Sequence, residues 1–543
     1  MQRDGNMIRN GIPVSFTPEG LTDATDMDNS FLGSCQSLQN LMFDPSNQYQ
    51  VVGRPGVGSP LTTFASFTTP TFVSVHSVIG TYVYGMVATG LTAGYDEPFC
   101  YDLTTNAFIA ISGITATNVP ASLPTTGAWT PPAMTVVGTN IIITHTGFSG
   151  TGTNYFGVIN VSNPAAPAWS SSNIATNALP SVPTNVANYN NRAYFVIGNK
   201  LYFSDVLNPL NATNADQILT VGDNTTIIGL SGLPITTQTA GVLSVLVVIK
   251  GSQTWQVSGD MATSNLAQNF ISLTVGTQSA RSVAQTRFGV LFLGQDGHYL
   301  VNLFGMLVPL TNGQAQIQDV RLPFMSAVVP SRVCATYCGL VYRCSLQFSI
   351  YGNSSFYDYW FDTRKMRWCG PHTFYYDCAS PYGEGAILSS SLVGAALFLS
   401  NVNDTYFNTV YADNGTTMVF SMLSTALPQT GQMCVKQVIE STIQVSSKQR
   451  NTFTIDAFNE VGLNVASAQI ADIYGAGLWG ISIWGNFVWD TNVNMTVAVY
   501  SIPWNTPIVF NKVYITVSSS SGIDISIGRM FLRLQDTQYI SEN

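Results

Sequence analysis

The chain has 543 residues and a formal net charge of −9, with 45% hydrophobic and 11% aromatic residues but only 9% charged ones. This composition excludes an intrinsically disordered chain, because disordered chains combine high charge with few aromatic residues. The acidic balance leaves no basic surface to neutralise many phosphates, so we expect no stable complex with nucleic acid.

Residues 1–60 are predicted to form an N-terminal arm. Its beginning, Met1 to Gly11, is polar and charged and lacks the apolar core of a signal peptide, so we expect synthesis in the cytoplasm. A weak helical spacing occurs only around Ser30 to Leu41. Arg54-Pro-Gly56 then ends a short strand in a turn, and we expect the next domain to begin near Leu61.

Residues 61–422 contain a unit of roughly fifty residues that recurs about seven times, which is typical of a β-propeller. The clearest copy, Phe288 to Val301, is an apolar strand, an Asp-Gly hairpin turn and a second strand that starts with an aromatic residue. The other copies centre near Tyr82–Val87, Asn140–Thr144, Ala193–Phe203, Leu243–Val257, Val341–Trp360 and Ala395–Tyr411. We therefore predict an all-β fold, with a propeller of about six or seven blades.

Several local features of this region lead to narrower expectations. Ser112 to Pro132 and Asn163 to Pro183 are rich in Ser, Thr, Ala and Pro, and we interpret both as long loops projecting from the first blades. The single compact basic run, Arg364-Lys365 with Arg367, is expected at a solvated hairpin tip. His298 follows an Asp-Gly pair and is expected to be a turn residue.

Residues 423–543 are predicted to form a C-terminal domain similar to a β-sandwich. Segments such as Lys436–Val445 and Thr452–Phe458 alternate apolar and polar residues at period two. Such alternation indicates strands with one buried and one solvated face.

Three tryptophans in this domain, Trp479, Trp484 and Trp489, are five residues apart. An odd spacing places successive side chains on opposite faces of a strand. We expect some of them to lie at a protein interface. The alternative is that all three pack inside the domain around irregular turns.

Residues that could carry chemistry are few. The four histidines stand in no catalytic spacing, and no nucleophile elbow, Walker loop or EF-hand loop is present, so we expect no enzyme, catalytic residue, cofactor or metal. The eight cysteines are expected to be reduced and buried, with same-strand pairs among Cys334, Cys338 and Cys344 facing one side. Two alternatives remain: a metal site at Cys369, His372 and Cys378, and a calcium loop rather than a hairpin turn at Asp413-Asn-Gly415.

The order of several motifs resembles the tail nozzle proteins of short-tailed bacteriophages, also called tail tubular or tail knob proteins. The motifs that carry the resemblance are Asn40-Leu-Met-Phe-Asp44, Arg54-Pro-Gly56, Asn199-Lys-Leu-Tyr-Phe-Ser-Asp205, Val248 to Gly259, Phe288 to Gly305 and Tyr359 to Trp368. The resemblance implies a virion structural protein in the tail, assembled as a homohexameric ring below the portal adaptor ring. Its lumen would retain the genome and open for ejection, with double-stranded DNA passing through unbound, and tail fibres or a tail needle would be further partners.

Two other functions remain as alternatives. One is a receptor-binding tail fibre or spike that recognises a host glycan. The other is a propeller glycoside hydrolase, which would need an arginine cluster together with a nucleophile and an acid. The candidate arginines are Arg281, Arg287, Arg321, Arg332 and Arg343. We expect no membrane-spanning segment, because the longest apolar stretch, Gly241 to Ile249, is too short for a bilayer of about 30 Å.

Overall fold

The computed structural model describes residues 12–21, 33–45, 50–67, 70–89, 94–122, 131–237, 241–259, 266–310, 327–350, 353–401, 411–428, 435–447, 451–473, 476–477, 488–489, 498–519 and 525–536. Within these ranges the regular structure is β-strand, with two 3₁₀ turns at Ala280–Ser282 and Pro330–Arg332. The all-β prediction is confirmed. None of these residues belongs to a helix long and apolar enough to cross a membrane.

The N-terminal segment contributes six short strands. They are β1 (Ile12–Phe16), β2 (Gly20–Leu21), β3 (Ser34–Gln39), β4 (Leu41–Phe43), β5 (Val51–Gly53) and β6 (Thr62–Thr63). The helical spacing around residues 30–41 is therefore misleading, since β3 and β4 occupy its described part. Asn40 separates them with φ 56°, a left-handed conformation that Asn tolerates better than most residues.

A β-propeller follows, and its described strands form seven four-stranded sheets. Blade 1 is β7 (Phe72–Ile79), β8 (Tyr82–Ala88), β9 (Glu97–Asp102) and β10 (Ala107–Ile109). Blade 2 is β11 (Ala133–Val137), β12 (Asn140–Thr144), β13 (Phe156–Asn160) and β14 (Ala168–Ser172). Blade 3 is β15 (Asn185–Tyr189), β16 (Arg192–Ile197), β17 (Lys200–Phe203) and β18 (Ile218–Thr220). Blade 4 is β19 (Ile227–Thr237), β20 (Gly241–Lys250), β21 (Thr254–Ser258) and β22 (Ala267–Ser272).

The remaining blades continue in chain order. Blade 5 is β23 (Ala284–Thr286), β24 (Gly289–Leu293), β25 (His298–Asn302) and β26 (Leu307–Pro309). Blade 6 is β27 (Cys334–Cys338), β28 (Val341–Ile350), β29 (Asn353–Asp362) and β30 (Arg367–His372). Blade 7 is β31 (Cys378–Tyr382), β32 (Gly385–Ser389) and β33 (Ala396–Asn401), with β6 as its fourth strand. Each of the seven sequence repeats lies in a different blade.

The blades close into a ring. The first strand of each blade is paired along one edge only, and these first strands contact one another in succession, with β31 returning to β7. The outer edge of blade 7 is completed by β6, in which Thr62 pairs with Leu397 and Thr63 with Ala396. A strand from the N-terminal side thus seals the last blade.

A second domain is built from the strands after the propeller. They are β34 (Ala412–Asp413), β35 (Thr416–Thr417), β36 (Phe420–Ser424), β37 (Lys436–Ser447), β38 (Asn451–Asn459), β39 (Asn464–Ile473), β40 (Ala476–Gly477), β41 (Val488–Trp489), β42 (Ala498–Ser501), β43 (Val509–Phe510), β44 (Val513–Ser519) and β45 (Ile525–Asp536). Two main sheets form the sandwich, with strand order β4-β5-β45-β37-β42 in one and β2-β3-β36-β44-β38-β39 in the other. Strands from both ends of the chain therefore share each sheet, since β1 also pairs with β45.

Hydrophobic clusters divide the molecule unevenly. From blade 7 round through blades 1 to 5, each pair of neighbouring blades has its own cluster between them. Blades 5, 6 and 7 also share one large cluster with the sandwich. The sandwich strands β2, β3 and β4 pack on β30, the outer strand of blade 6.

Three local expectations are wrong. The basic run does lie in a hairpin turn, between β29 and β30, but it is only partly exposed, because the Lys365 ammonium lies 4.6 Å from the ring centre of Phe43 in the sandwich. The stretch from Asn163 to Pro183 is not wholly loop, since it contains β14. His298 is not an exposed turn residue: it begins β25, is fully buried, and its ring packs on Trp368 with 4.5 Å between ring centres.

Candidate functional site

A buried polar site joins the N-terminal strands to the propeller, and Asn40 is at its centre. The side-chain oxygen of Asn40, Oδ1, accepts hydrogen bonds from Arg54 Nε and from both the backbone N–H and the hydroxyl of Thr373, each at 3.1 Å. Its amide nitrogen donates to the backbone oxygen of Val419 at 2.8 Å. One fully buried side chain thus connects the sandwich, the exit from blade 6 and the segment after blade 7.

Arg54 completes this site. Its guanidinium is fully buried and bonds Asp413 through two nitrogens, with Nη1 donating to Oδ1 at 3.2 Å and Nη2 pairing with Oδ2. The other donors reach Asn40, the Pro55 carbonyl at 3.0 Å and the Thr373 hydroxyl at 3.3 Å. All five N–H directions of the arginine fork are therefore used, an arrangement that lysine cannot reproduce.

The Arg54-Pro-Gly56 turn fits against the hairpin of β34 and β35. A Cβ at Gly56 would stand 2.3 Å from the backbone oxygen of Ala412, so only glycine permits this approach. The hairpin turns through Asn414 and Gly415, at φ 48° and 77°, as a two-residue turn of this type requires. Asp413-Asn-Gly415 is accordingly a hairpin turn and not a calcium loop, because the Asp413 carboxylate is bound by Arg54.

A second buried ion pair lies beside the first, inside blade 6. Arg343 Nη2 donates to Asp358 Oδ2 at 3.0 Å, Nη1 donates to the Ser400 hydroxyl at 2.7 Å, and Trp360 Nε1 also donates to Asp358 at 2.8 Å. Burial raises the pKa of the Asp358 carboxyl, an effect that the Arg343 guanidinium opposes. Burial also lowers the pKa of His372 well below its usual value, and Arg54 and Arg343 add to this, so His372 is neutral.

These two ion pairs fasten the structure rather than carry out chemistry. Each guanidinium is neutralised by a carboxylate in its own site, and both arginines are shielded from solvent. Removing one partner of such a buried pair typically costs about 3–5 kcal/mol, because the other charge is then left buried and unpaired.

A cavity of about 370 Å³ opens next to Asp413. Its walls come from Gln39, from residues 373–375, from the blade 7 loop at residues 390–393 and from residues 413–419. Its lining is mostly hydroxyl, amide and apolar groups. The one carboxylate in this lining belongs to Asp413 and is already bound to Arg54.

Two of the arginines proposed for a hydrolase, Arg281 and Arg332, converge around Asp377. Arg332 Nη1 donates to the Asp377 carboxylate at 2.8 Å, and Tyr375 donates to the same oxygen at 2.8 Å. Arg281 donates to the backbone oxygens of Asp377 and Ser331. Both guanidiniums are thus bonded to protein groups. Arg343 lies in the core of blade 6, Arg287 is exposed at the end of blade 5, and Arg321 lies outside the described residues.

Ser122, Asp96 and His145 meet between blades 1 and 2 but do not form a catalytic triad. The Gly147 N–H donates to His145 Nδ1 at 2.9 Å, so the ring proton is on Nε2, which contacts Asp96 at 2.9 Å. Ser122 donates to the other oxygen of Asp96 at 2.8 Å. The serine is bonded to the carboxylate instead of the imidazole, so the histidine is not placed to take its proton as in a triad.

The tryptophans predicted at an interface are barely covered by the described residues. Trp479 and Trp484 lie outside them, and Trp489 is within β41, which pairs in parallel with β40. An interface at these positions stays a prediction.

The thiols are packed as small apolar groups. All seven described cysteines are buried and unpaired, and Cys334 and Cys338 share the buried face of β27, as predicted. Cys369 Sγ lies 4.0 Å from His372 Nε2, while Cys378 contacts Arg281 instead. Within the described part of the chain no three metal-ligating side chains are grouped.

Two motifs of the family resemblance meet where the sandwich joins the propeller, and others lie within single blades. Asn40 and Arg54 bind each other in the site described above. Asp205 accepts hydrogen bonds from Asn211, Thr213 and Gln217 and so fixes the loop between β17 and β18. Trp360 and Trp368 are fully buried in blade 6.

Comparison with known proteins gives only distant likenesses in fold. No family model matches, and no curated protein matches. Among solved structures, the Dos1 propeller is 9% identical with a TM-score of 0.37, over 67% of this chain and 92% of that one. The propeller domain of the Trilobed protease from Pyrococcus furiosus is 8% identical with a TM-score of 0.35, over 62% and 100%.

Proposed function

We propose that this chain is the structural tail nozzle protein of a short-tailed bacteriophage, a homohexameric ring in the virion tail. The observation that carries the proposal is the position of the resemblance motifs. Asn40 and Arg54 are buried where the sandwich meets the exit from blade 6, Trp368 is buried between blades 5 and 6, and Trp360 is buried within blade 6. Motifs composed of joint residues suit a protein whose role is mechanical.

The ring would retain the genome in the mature particle and open for ejection. Subunits surround an axial lumen, one face meets the portal adaptor ring, and fibres or a needle attach elsewhere on the tail. The net charge of −9 supports a lumen through which double-stranded DNA slides without stable binding. No catalytic residue is required for this work.

Purification of the protein alone and with its adaptor tests the proposal. We expect a ring of about six copies by mass photometry and a central hole in negative stain. Monomers alone under both conditions would overturn it.

A receptor-binding role is the second candidate, and the cavity beside Asp413 is the observation that favours it. A lining that combines hydroxyls, amides and apolar side chains with a neutralised carboxylate suits a neutral polyhydroxylated ligand such as a glycan, whose ring faces are apolar. A glycan array probed with the wild type and with Leu392→Arg, which fills the cavity mouth, tests this role. Specific capture that is lost in the variant would favour it over the nozzle.

A further inference from the structure

Two hairpin turns in different domains share one construction. Asn302-Leu-Phe-Gly-Met306 joins β25 to β26 in blade 5, and Asn459-Glu-Val-Gly-Leu463 joins β38 to β39 in the sandwich. In each turn the glycine is left-handed, at φ 74° for Gly305 and 79° for Gly462. This is the three-residue hairpin loop that ends in a glycine bulge.

The first residue of each turn holds its backbone in the same way. Asn302 Oδ1 accepts from the N–H groups of Phe304 and Met306, both at 3.0 Å. Asn459 Oδ1 accepts from those of Val461 and Leu463, at 3.2 and 2.9 Å. Since each turn is tied internally, its outer side chains are presented on a rigid support.

Those side chains are large, apolar and solvated. Phe304 and Met306 are 70% and 58% exposed, and Val461 and Leu463 are 72% and 63% exposed. Single exposed apolar residues are common on folded chains, but each turn groups two of them on a rigid support, and grouped exposed apolar side chains mark surfaces that bind a partner.

The charged neighbours of the two turns are opposite in sign. Arg287 lies in the adjacent turn of blade 5, where Gly289 pairs with Asn302, and its guanidinium stands 4.6 Å from the ring centre of Phe288. Glu460 is the second residue of the sandwich turn and accepts one hydrogen bond, from Asn511 at 3.4 Å. Both are exposed, and neither is in an ion pair with another described residue.

We propose that the blade 5 turn of one copy of this chain binds the sandwich turn of the next copy. Phe304 and Met306 would pack against Val461 and Leu463, and Arg287 would pair with Glu460. The contact joins two different surfaces, so repeating it builds a ring if the rotation closes and a filament if it does not. The inference rests on the proposed nozzle function and names the surfaces through which its subunits meet.

Surface substitutions in the full-length protein test this contact. We expect Phe304→Ser with Met306→Ser, and separately Val461→Ser with Leu463→Ser, to weaken association by about 30-fold or more, as loss of interface anchors does. Mass photometry over a concentration series measures this, and thermal unfolding checks that the variants are folded. Phe270→Ser is the matched control, because Phe270 is 63% exposed on the outer strand of blade 4 and should not alter assembly.

Charge reversal makes the test specific to pairing. Arg287→Glu and Glu460→Arg should each weaken association by about tenfold, and the double variant should recover to within about threefold of the wild type. Turn variants that assemble like the wild type, a double variant without recovery, or an equal effect of Phe270→Ser would overturn the contact and leave the proposed ring intact. Wild-type protein that stays monomeric alone and with its adaptor would overturn both. Open filaments that depend on these residues would support the contact and count against the nozzle.

Discussion

Blades 1 to 4 and the unit formed by blades 5 to 7 with the sandwich are held together in different ways. The first four blades meet through separate hydrophobic clusters, such as the one in which Phe156 and Phe195 lie 4.7 Å apart. The second unit has one continuous core, and the largely buried pair Arg54–Asp413 and the fully buried pair Arg343–Asp358 lie within or beside it. A ring of similar blades is thus modular on one side and locked on the other.

The largest expected effect follows from removing the Arg54–Asp413 ion pair. Arg54→Ala should lower the free energy of unfolding by about 3 kcal/mol, because the Asp413 carboxylate, whose side chain is only 10% exposed, is then left without its partner. Arg533→Ala is the matched control, since Arg533 pairs with Glu440 at 3.1 Å on the surface and such pairs are worth about 1 kcal/mol or less. Urea unfolding followed by fluorescence measures both. Equal losses in the two variants would show that the junction does not fasten the domains.

The stability of the unit formed by blades 5 to 7 and the sandwich should also depend on pH, through His298. Burial lowers the pKa of His298 to about 3, whereas an unfolded histidine titrates near 6.5, so the unfolded chain binds the extra proton. The stability contributed by neutral His298 is complete above about pH 6.5 and falls by about 1.4 kcal/mol per unit as the pH drops towards 3. Neither ring nitrogen has a hydrogen-bond partner, so His298→Leu should fold and show a shallower slope between pH 6.5 and 4. An unchanged slope in urea titrations would contradict this.

A smaller effect is expected when one buried methyl group is removed from each of the two units. Ile142→Val in blade 2 and Ile455→Val in the sandwich each remove one methyl group from a fully buried site and should cost about 0.5–1.5 kcal/mol. Hydrogen exchange should then rise only in blades 2 and 3 for the first variant, but across the shared core for the second. Faster exchange in the sandwich of Ile142→Val would remove the distinction between the units.

The smallest effect concerns the thiols and leaves stability unchanged. Burial raises the pKa of Cys100 to about 12 and of Cys378 to about 11, so both should resist a thiol reagent at pH 8 in the native protein. In urea below the main transition, Cys100, between blades 1 and 2, should be labelled before Cys344 in the shared core. Peptide mass mapping gives the order in which the cysteines are labelled. Labelling of Cys344 before Cys100 would argue against blades 1 to 4 opening independently of the shared core.

Local patterns predicted much of this fold. The strand, turn and strand of each repeat lie in adjacent positions of the chain, so the copy at Phe288 to Val301 could be recognised as part of a blade from its letters alone. The alternation in Lys436–Val445 likewise predicts a strand with one buried face, and β37 has that form from Ser441 to Val445, whereas Lys436 is buried and Ile439 is exposed at a bulge. Where apolar and polar residues alternate only weakly, as in Ala168–Ser172, the pattern does not distinguish the outer strand of a blade from a loop.

The candidate site depends on contacts that no local pattern contains. Arg54 and Asp413 are 359 positions apart, and Asn40 reaches Val419 over 379. The motif Arg54-Pro-Gly56 predicts a turn but does not identify the segment that packs against it. The available signal was Gly56, because a glycine allows another backbone segment to approach closely. An Asp-Gly turn ends one residue before His298, so the sequence pattern assigns His298 to the turn. Its packing against Tyr342 and Trp368 shows that it belongs to the strand.

The pairing of β45 with β1 and β5 has a consequence for biosynthesis. Residues 12–16 leave the ribosome hundreds of codons before residues 525–536 exist to pair with them. β1, whose pairing is with β45, must therefore stay unpaired while the blades form, and β5 has only β4 beside it. The sandwich is completed only when residues 525–536 have been made, and a nascent chain that lacks them would present open sheet edges at which other chains could add.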